Sequence, residues 1–149
     1  MNKSNARAVS EYVGTVWQAL GLTALNVDLS IVGGEEDFLG RVEVLRNVDV
    51  ALELHEAAFE RRELLREVVV HEGCHVMLDR MTTPVEIMLI QAKQEAARDV
   101  VIELEEQVVT RLARLLAPLV PLPSASLVRS VSRSMDKRKN TVKKGRGSE

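Results

Sequence analysis

The segment Val68-Val69-Val70-His71-Glu72-Gly73-Cys74-His75-Val76-Met77 holds two histidines four residues apart, with a glutamate directly after the first. On a helix, side chains four apart share a face and lie roughly 6 Å from one another. Two imidazoles so placed can bind a single zinc ion. Glu72 then falls beside the metal rather than on it. There it can take a proton from a water that zinc has acidified, since bound zinc brings the pKa of water down toward ~7. The flanks are apolar, with three β-branched valines before the motif and Val76 and Met77 after it. Histidines sunk in such a helix need polar partners, and a metal satisfies both. The plainer alternative is a pair of core histidines hydrogen-bonded to their neighbours.

A catalytic zinc takes three protein ligands and keeps one position open. His55 ends an alternating strand, where it would be a surface residue or a substrate contact. Cys74 points about 100° away from His75 and reads as a small core residue. The third ligand is then expected to be a carboxylate on the following helix, from Glu95, Asp99, Glu103, Glu105 or Glu106. Glu95 lies twenty residues after His75, and Asp99 four further on could orient a ligating histidine. A simple antiparallel hairpin would bring Glu95 opposite the histidines. Against it, Lys93, Gln94, Arg98 and Asp99 make that stretch resemble a solvated surface. Glu105 and Glu106 sit instead among Val101, Ile102, Leu104, Val108, Val109 and Leu112. A carboxylate in apolar surroundings needs a reason, and a metal is one. Thr110, four residues after Glu106, offers a hydroxyl to support it.

An HExxH helix followed by a glutamate on a second helix resembles the gluzincin branch of zinc metallopeptidases. More closely, the chain resembles small metallopeptidases encoded by bacteriophages and prophages of actinobacteria. These share an N-terminal helix, a short sheet, the HExxH helix and a last helix ending in Glu-Glu-x-x-Val-x-x-Leu-Ala before a proline-rich end. Here that ending reads Glu105-Glu106-Gln107-Val108-Val109-Thr110-Arg111-Leu112-Ala113, then APLVPLP. The closing helix is also similar to that of ImmA/IrrE-type regulatory metallopeptidases. Matching Leu112-Ala113 to that family's aromatic–alanine pair implies a zinc ligand at Glu106 and a histidine-supporting residue at Thr110. The match departs in having threonine where asparagine or aspartate is usual. The gap from His75 to Glu106 is 31 residues, against ~20 in thermolysin-like enzymes. The resemblance covers roughly residues 5–121 and implies His71, His75 and Glu106 as metal ligands and Glu72 as general base.

Several elements must position these groups. Ala8, Val9, Tyr12, Val13, Val16, Trp17 and Leu20 recur at helical spacing, and Gly21 suits a C-terminal cap. NVDLSIV (26–32), LGRVEVL (39–45) and NVDVALEL (47–54) alternate apolar and polar residues as half-buried strands do. A second helix is expected from about Arg61 to about Met81. Thr83-Pro84-Val85-Glu86 reads as a fresh start, with a Thr83 cap, Pro84 in the first turn and Glu86 closing a capping box. That helix would run to about Leu116, with a bend or break between Gln94 and Asp99. The expected fold is α+β and zincin-like: an N-terminal helix, a small antiparallel sheet of about three strands, the HExxH helix and a long C-terminal helix.

Composition narrows the class. The 149 residues are 46% hydrophobic and 28% charged with a net charge of -2, which suits one globular domain. Aromatics are 3%, so Leu, Val, Ile, Ala and Met must build the core. The single Cys74 excludes an internal disulfide framework and any cysteine-only zinc site. The N-terminus lacks the apolar core of a signal peptide, and no run of ~18 apolar residues could span a membrane. A reducing cytoplasm is the expected location. The charge is unevenly spread: residues 122–149 hold eight Lys/Arg and two acids, whereas residues 1–121 carry a net -8. The change comes at Pro118, Pro121 and Pro123. The division expected is a domain over 1–121 and a basic, disordered tail over 122–149. Such a tail can touch nucleic acid or an acidic surface, though it interleaves no aromatic residue for stacking on bases.

Two functions follow. One is a zinc metallopeptidase acting on a peptide or protein, with NVDVALEL as the exposed sheet edge that receives substrate. The other is a non-catalytic, zinc-stabilised regulatory or binding module with a protein or nucleic-acid partner.

Overall fold

The computed structural model describes residues 3–34, 37–45 and 48–145, with side chains described over 4–135. Helix α1 (Lys3–Ala19) leads into strand β1 (Asn26–Val32). Strands β2 (Gly40–Val44) and β3 (Asp49–His55) form a hairpin, followed by a short 3-10 turn (Glu56–Phe59). Helices α2 (Arg62–Gln91), α3 (Glu95–Leu116) and α4 (Ala125–Gly145) complete the chain. The fold class is α+β, as expected.

Helix α1 buries Val9, Tyr12, Val13, Val16 and Trp17, one face of a 3.6-residue repeat. Its end is set by Gly21 at φ 82, with the Leu22 amide donating back to the Trp17 carbonyl at 2.8 Å. Trp17 also fixes where α1 meets α2: its indole Nε1 donates to the Val69 carbonyl at 2.9 Å. A Cβ at Gly73 would lie 2.9 Å from Leu20 and 3.0 Å from Trp17. The glycine inside the HExxH motif is therefore what lets α1 close on α2.

The sheet differs from the expected antiparallel one. Its order is β1-β3-β2, with β1 parallel to β3 and β2 antiparallel to β3. Alternation of apolar residues assigns a face to each strand and says nothing about which strand lies beside it. Val50, Leu52 and Leu54 of β3 are all buried because β3 is the central strand. NVDVALEL is thus not an edge strand; β1 and β2 are the two edges, and β2 is the one that runs beside α2.

The boundary between the long helices also moves. Helix α2 continues through Pro84 for 30 residues. Thr83 does not cap a new helix; its hydroxyl donates to Asp79 at 2.8 Å, and Glu86 pairs with Arg98 of α3 at 3.5 Å. An interior proline costs about 3 kcal/mol. Packing of α2 along α3 offsets that cost, and the exposed position of Pro84 leaves the displaced carbonyl open to water. The break falls at 92–94, where Lys93 takes φ 55 and the Gln94 amide returns to the Leu89 carbonyl at 2.9 Å.

The expected disordered tail is corrected as well. Helix α4 buries Leu127, Val128, Val131 and Met135 in the same core as α1. Ser124 caps it, accepting from the Leu127 amide at 3.1 Å. The proline-rich strap is tied down from both sides: Tyr12 donates to the Pro121 carbonyl at 3.0 Å and Arg62 to the Pro123 carbonyl at 2.6 Å. Four large side chains at helical spacing suffice to order a segment whose average composition is polar. The domain therefore extends past 121, through Met135 at least. Among the described residues no helix is long and apolar enough to cross a membrane.

Candidate metal centre

His71, Glu72 and His75 lie on α2, and antiparallel packing of α3 brings Glu105 and Glu106 against them. The two imidazoles face each other by their Nε2 atoms, 3.3 Å apart, with ring centroids at 5.0 Å. Glu106 bridges them, one carboxylate oxygen 3.2 Å from His71 Nε2 and the other 3.2 Å from His75 Nε2. Ligand atoms held about 2.0–2.1 Å from one tetrahedral ion are separated by about 3.3–3.4 Å. The two imidazole nitrogens have that spacing, each faces one oxygen of Glu106 at 3.2 Å, and with one atom taken from each residue the three donors lie within 4.8 Å of one another, the one group of metal-competent side chains among the described residues. Two histidines and a carboxylate are a donor set that suits zinc.

Of the five carboxylates considered as third ligand, Glu106 reaches the histidines by this geometry. Glu105 meets the outer nitrogen instead: its Oε1 accepts from His75 Nδ1 at 3.0 Å. That bond puts the His75 proton on Nδ1 and leaves Nε2 as a lone pair facing His71 and Glu106. Thr110 donates to Glu106 at 3.4 Å and touches neither histidine, so the histidine support implied by resemblance belongs to Glu105. Glu95 opens α3, eleven residues before Glu106 and about 16 Å away along the helix. Asp99 and Glu103 fall outside the donor group, and Glu103 accepts from Gln107 at 3.4 Å. His55 is neither a surface residue nor part of the site. It is buried, its Nδ1 accepts from the Ala57 amide at 3.2 Å, and it caps the 3-10 turn. Cys74 is a core residue, and burial pushes its thiol up to about 11.

Electrostatics favour the ligating forms. Burial pulls the His71 pKa down; Glu106 opposes that shift and His75 adds to it. A neutral imidazole is the form a metal requires. Glu72 is 5% exposed, and burial raises its carboxyl to about 7, with His75 lowering and Glu106 raising it further. A base poised near neutrality suits proton transfer at physiological pH.

No protein-family model, curated protein or solved structure matches the chain.

A residue that sequence reasoning passed over completes the site. Gly40, the first residue of β2, lies so close to α2 that a Cβ there would stand 2.5 Å from Val68 Cγ1 and 2.8 Å from Glu72 Oε1. Only glycine lets the edge strand approach the base this closely. The sole sequence signal was a glycine at a strand start. On either side of this approach the surface opens. A cavity of about 530 Å³ is walled by Leu39, Leu64, Val68, Ala113 and Pro118. Another of about 390 Å³ runs along Arg41, Val42 and Val44 toward Asp79 and Thr83. Both reach His71 and Glu72, so the donors sit midway along a cleft between β2 and the helix pair.

Proposed function

We propose that the chain is a zinc-dependent metallopeptidase that hydrolyses peptide bonds in this cleft. The observation that carries the reading is the convergence of His71, His75 and Glu106 at 3.2–3.3 Å beside a buried glutamate. When bound, zinc supplies Lewis acidity, lowering the pKa of a coordinated water and polarising the scissile carbonyl. The protein does the rest. His71, His75 and Glu106 hold the ion, and Glu105 keeps the His75 ring turned toward it. Glu72 takes the proton of the attacking water and passes it to the departing amide nitrogen. The free edge of β2 receives the substrate backbone as an added antiparallel strand, with side chains directed into the two cavities. The lone thiol of Cys74 suits a reducing compartment such as the cytoplasm.

The test is elemental analysis of the purified protein together with hydrolysis of a mixed peptide library. One zinc per chain and cleavage that Glu72→Gln abolishes, with zinc retained, are the expected results. Absence of bound zinc, or turnover undiminished in Glu72→Gln, would end this reading.

A further inference from the structure

The two cavities that flank Glu72 differ in charge. Two arginines and two carboxylates border the one of about 530 Å³, whereas one arginine and five carboxylates border the one of about 390 Å³. The arginines of the first are Arg66 of α2 and Arg114 of α3. Among the described residues neither forms an ion pair, not even with Glu67, the acid of that cavity besides the base Glu72. Arg66 Nε is buried without a hydrogen-bond partner. Arg62, one turn earlier, is by contrast held on the Pro123 carbonyl. Two guanidiniums from packed helices thus border a largely apolar cavity, walled by Leu39, Leu64, Val68 and Pro118, and no carboxylate of the chain engages either.

We propose, resting on the reading of the site as a zinc peptidase, that this cavity receives the apolar C-terminal residue of the substrate, its carboxylate on Arg66 and Arg114, so that cleavage falls within two residues of a free C-terminus. Direction comes from the edge strand. β2 runs from Gly40, where the two cavities meet, to Val44 in the second, and Leu39 just before it lines the first. Antiparallel pairing is the more stable kind, and a substrate antiparallel to β2 carries its C-terminal half into the first cavity. Reach agrees. Arg66 precedes His71 by five residues, about 7.5 Å along α2. An extended peptide advances about 3.4 Å per residue, so a carboxylate two residues past the scissile bond comes level with Arg66. A planar guanidinium matches the two oxygens of a carboxylate. Charge set among apolar walls selects a C-terminus over an internal acid. A C-terminal leucine or phenylalanine brings an apolar side chain and a carboxylate on one carbon, whereas an internal aspartate or glutamate brings the charge alone. The cavity volume falls within the ~300–1,000 Å³ that encloses a small ligand. Five carboxylates around the second cavity disfavour a C-terminus there and suit the amino end or a basic side chain. Hydrolysis breaks the peptide C–N bond, leaves the hydroxyl of water on the carbonyl carbon and releases the C-terminal fragment with a free amine.

Peptides ending in leucine, offered to the full zinc-loaded chain as free acids and as C-terminal amides, test this. Cleavage is expected one or two residues from the free C-terminus. Amidation should lower kcat/KM about 10–100-fold, mostly through KM. Arg66→Ala and Arg114→Ala should bring the acid-to-amide ratio toward one. A folding defect in either variant does not move that ratio, because both substrates meet the same active fraction. Calorimetric binding of the same peptides to the Glu72→Gln chain supplies a readout besides turnover, with the free acid again expected to bind more tightly than the amide. Equal rates and affinities for acid and amide would overturn the proposal and leave the peptidase reading standing. So would a ratio that survives both arginine substitutions, or cleavage beside internal aspartate or glutamate in preference to a free C-terminus. Tighter binding of the acid with no hydrolysis by the unmodified chain would instead end the peptidase reading and leave the carboxylate site in place.

Discussion

Glu105 accepts the Nδ1–H of His75 at 3.0 Å while its neighbour Glu106 faces the Nε2 atom of the same ring at 3.2 Å. Adjacent residues on one helix thus hold the imidazole from its two ends. The Glu105 side chain is only 13% exposed, so water competes little for this bond. Losing such a carboxylate typically weakens metal binding about 10–100-fold. Glu105→Gln should weaken zinc by that factor in a chelator competition, and Glu106→Gln, which removes a donor, by more. Glu95→Gln should leave affinity unchanged. Equal effects at 95 and 106 would contradict the arrangement.

Three donors drawn from two helices would tie a bound metal to the fold. Zinc at about 100 times its dissociation constant adds about 2.7 kcal/mol to stability. For a chain near 150 residues, each kcal/mol moves Tm by about 2–4 °C. Chelation should therefore lower the melting temperature by roughly 5–11 °C, and stoichiometric zinc should restore it. A calorimetric trace indifferent to chelation would show that the donors do not hold an ion.

Gly40 admits no side chain without moving Val68 or Glu72. Both are anchored on α2, so Gly40→Ala must shift the edge strand or the base. Overpacking of this kind costs about 1–3 kcal/mol. The variant should unfold at lower urea and lose peptide turnover while keeping its zinc, because no donor atom touches Gly40. Full activity with wild-type stability would show the strand to be freer than its geometry implies.

Tyr12 donates to the Pro121 carbonyl, and burial raises its ionisation well above the ordinary value, with Arg66 and Arg62 partly opposing. The unfolded phenol loses its proton near pH 10. Above that pH the unfolded chain binds fewer protons than the folded one, so stability falls as pH rises. Below it, both states are protonated and the contribution is intact. Urea midpoints measured from pH 8 to 11 should decline for the unmodified protein and less steeply for Tyr12→Phe. At neutral pH the substitution should cost about 1 kcal/mol, from the lost hydrogen bond.

The two histidines and Glu72 were legible because an α-helix sets their relation locally: residues four apart share a face whatever surrounds them. The helix, the strand alternation and the core side of α1 were readable for the same reason. From the residues alone the third ligand stayed open among Glu95, Glu105 and Glu106, and only the resemblance singled out Glu106. Neighbours on a helix point about 100° apart, and which one faces the Nε2 atoms of both histidines depends on how α3 is rotated against α2. The break expected between Gln94 and Asp99 falls slightly earlier, at Lys93, where neither glycine nor proline marks it, while Pro84 suggested a boundary that packing overrides.

Strand order, the free edge and the fate of the basic end lay beyond local pattern. Alternation in β1, β2 and β3 is the same whether β3 is central or peripheral, and only pairing with β1 on one side and β2 on the other makes it central. The segment after Pro123 has the composition of a tail, yet Leu127, Val128, Val131 and Met135 find a core supplied by residues more than a hundred positions earlier. Chemistry carried by residues one helical turn apart is written along the chain. Chemistry that needs Glu106 against His71, or Gly40 against Glu72, exists only once distant segments have packed.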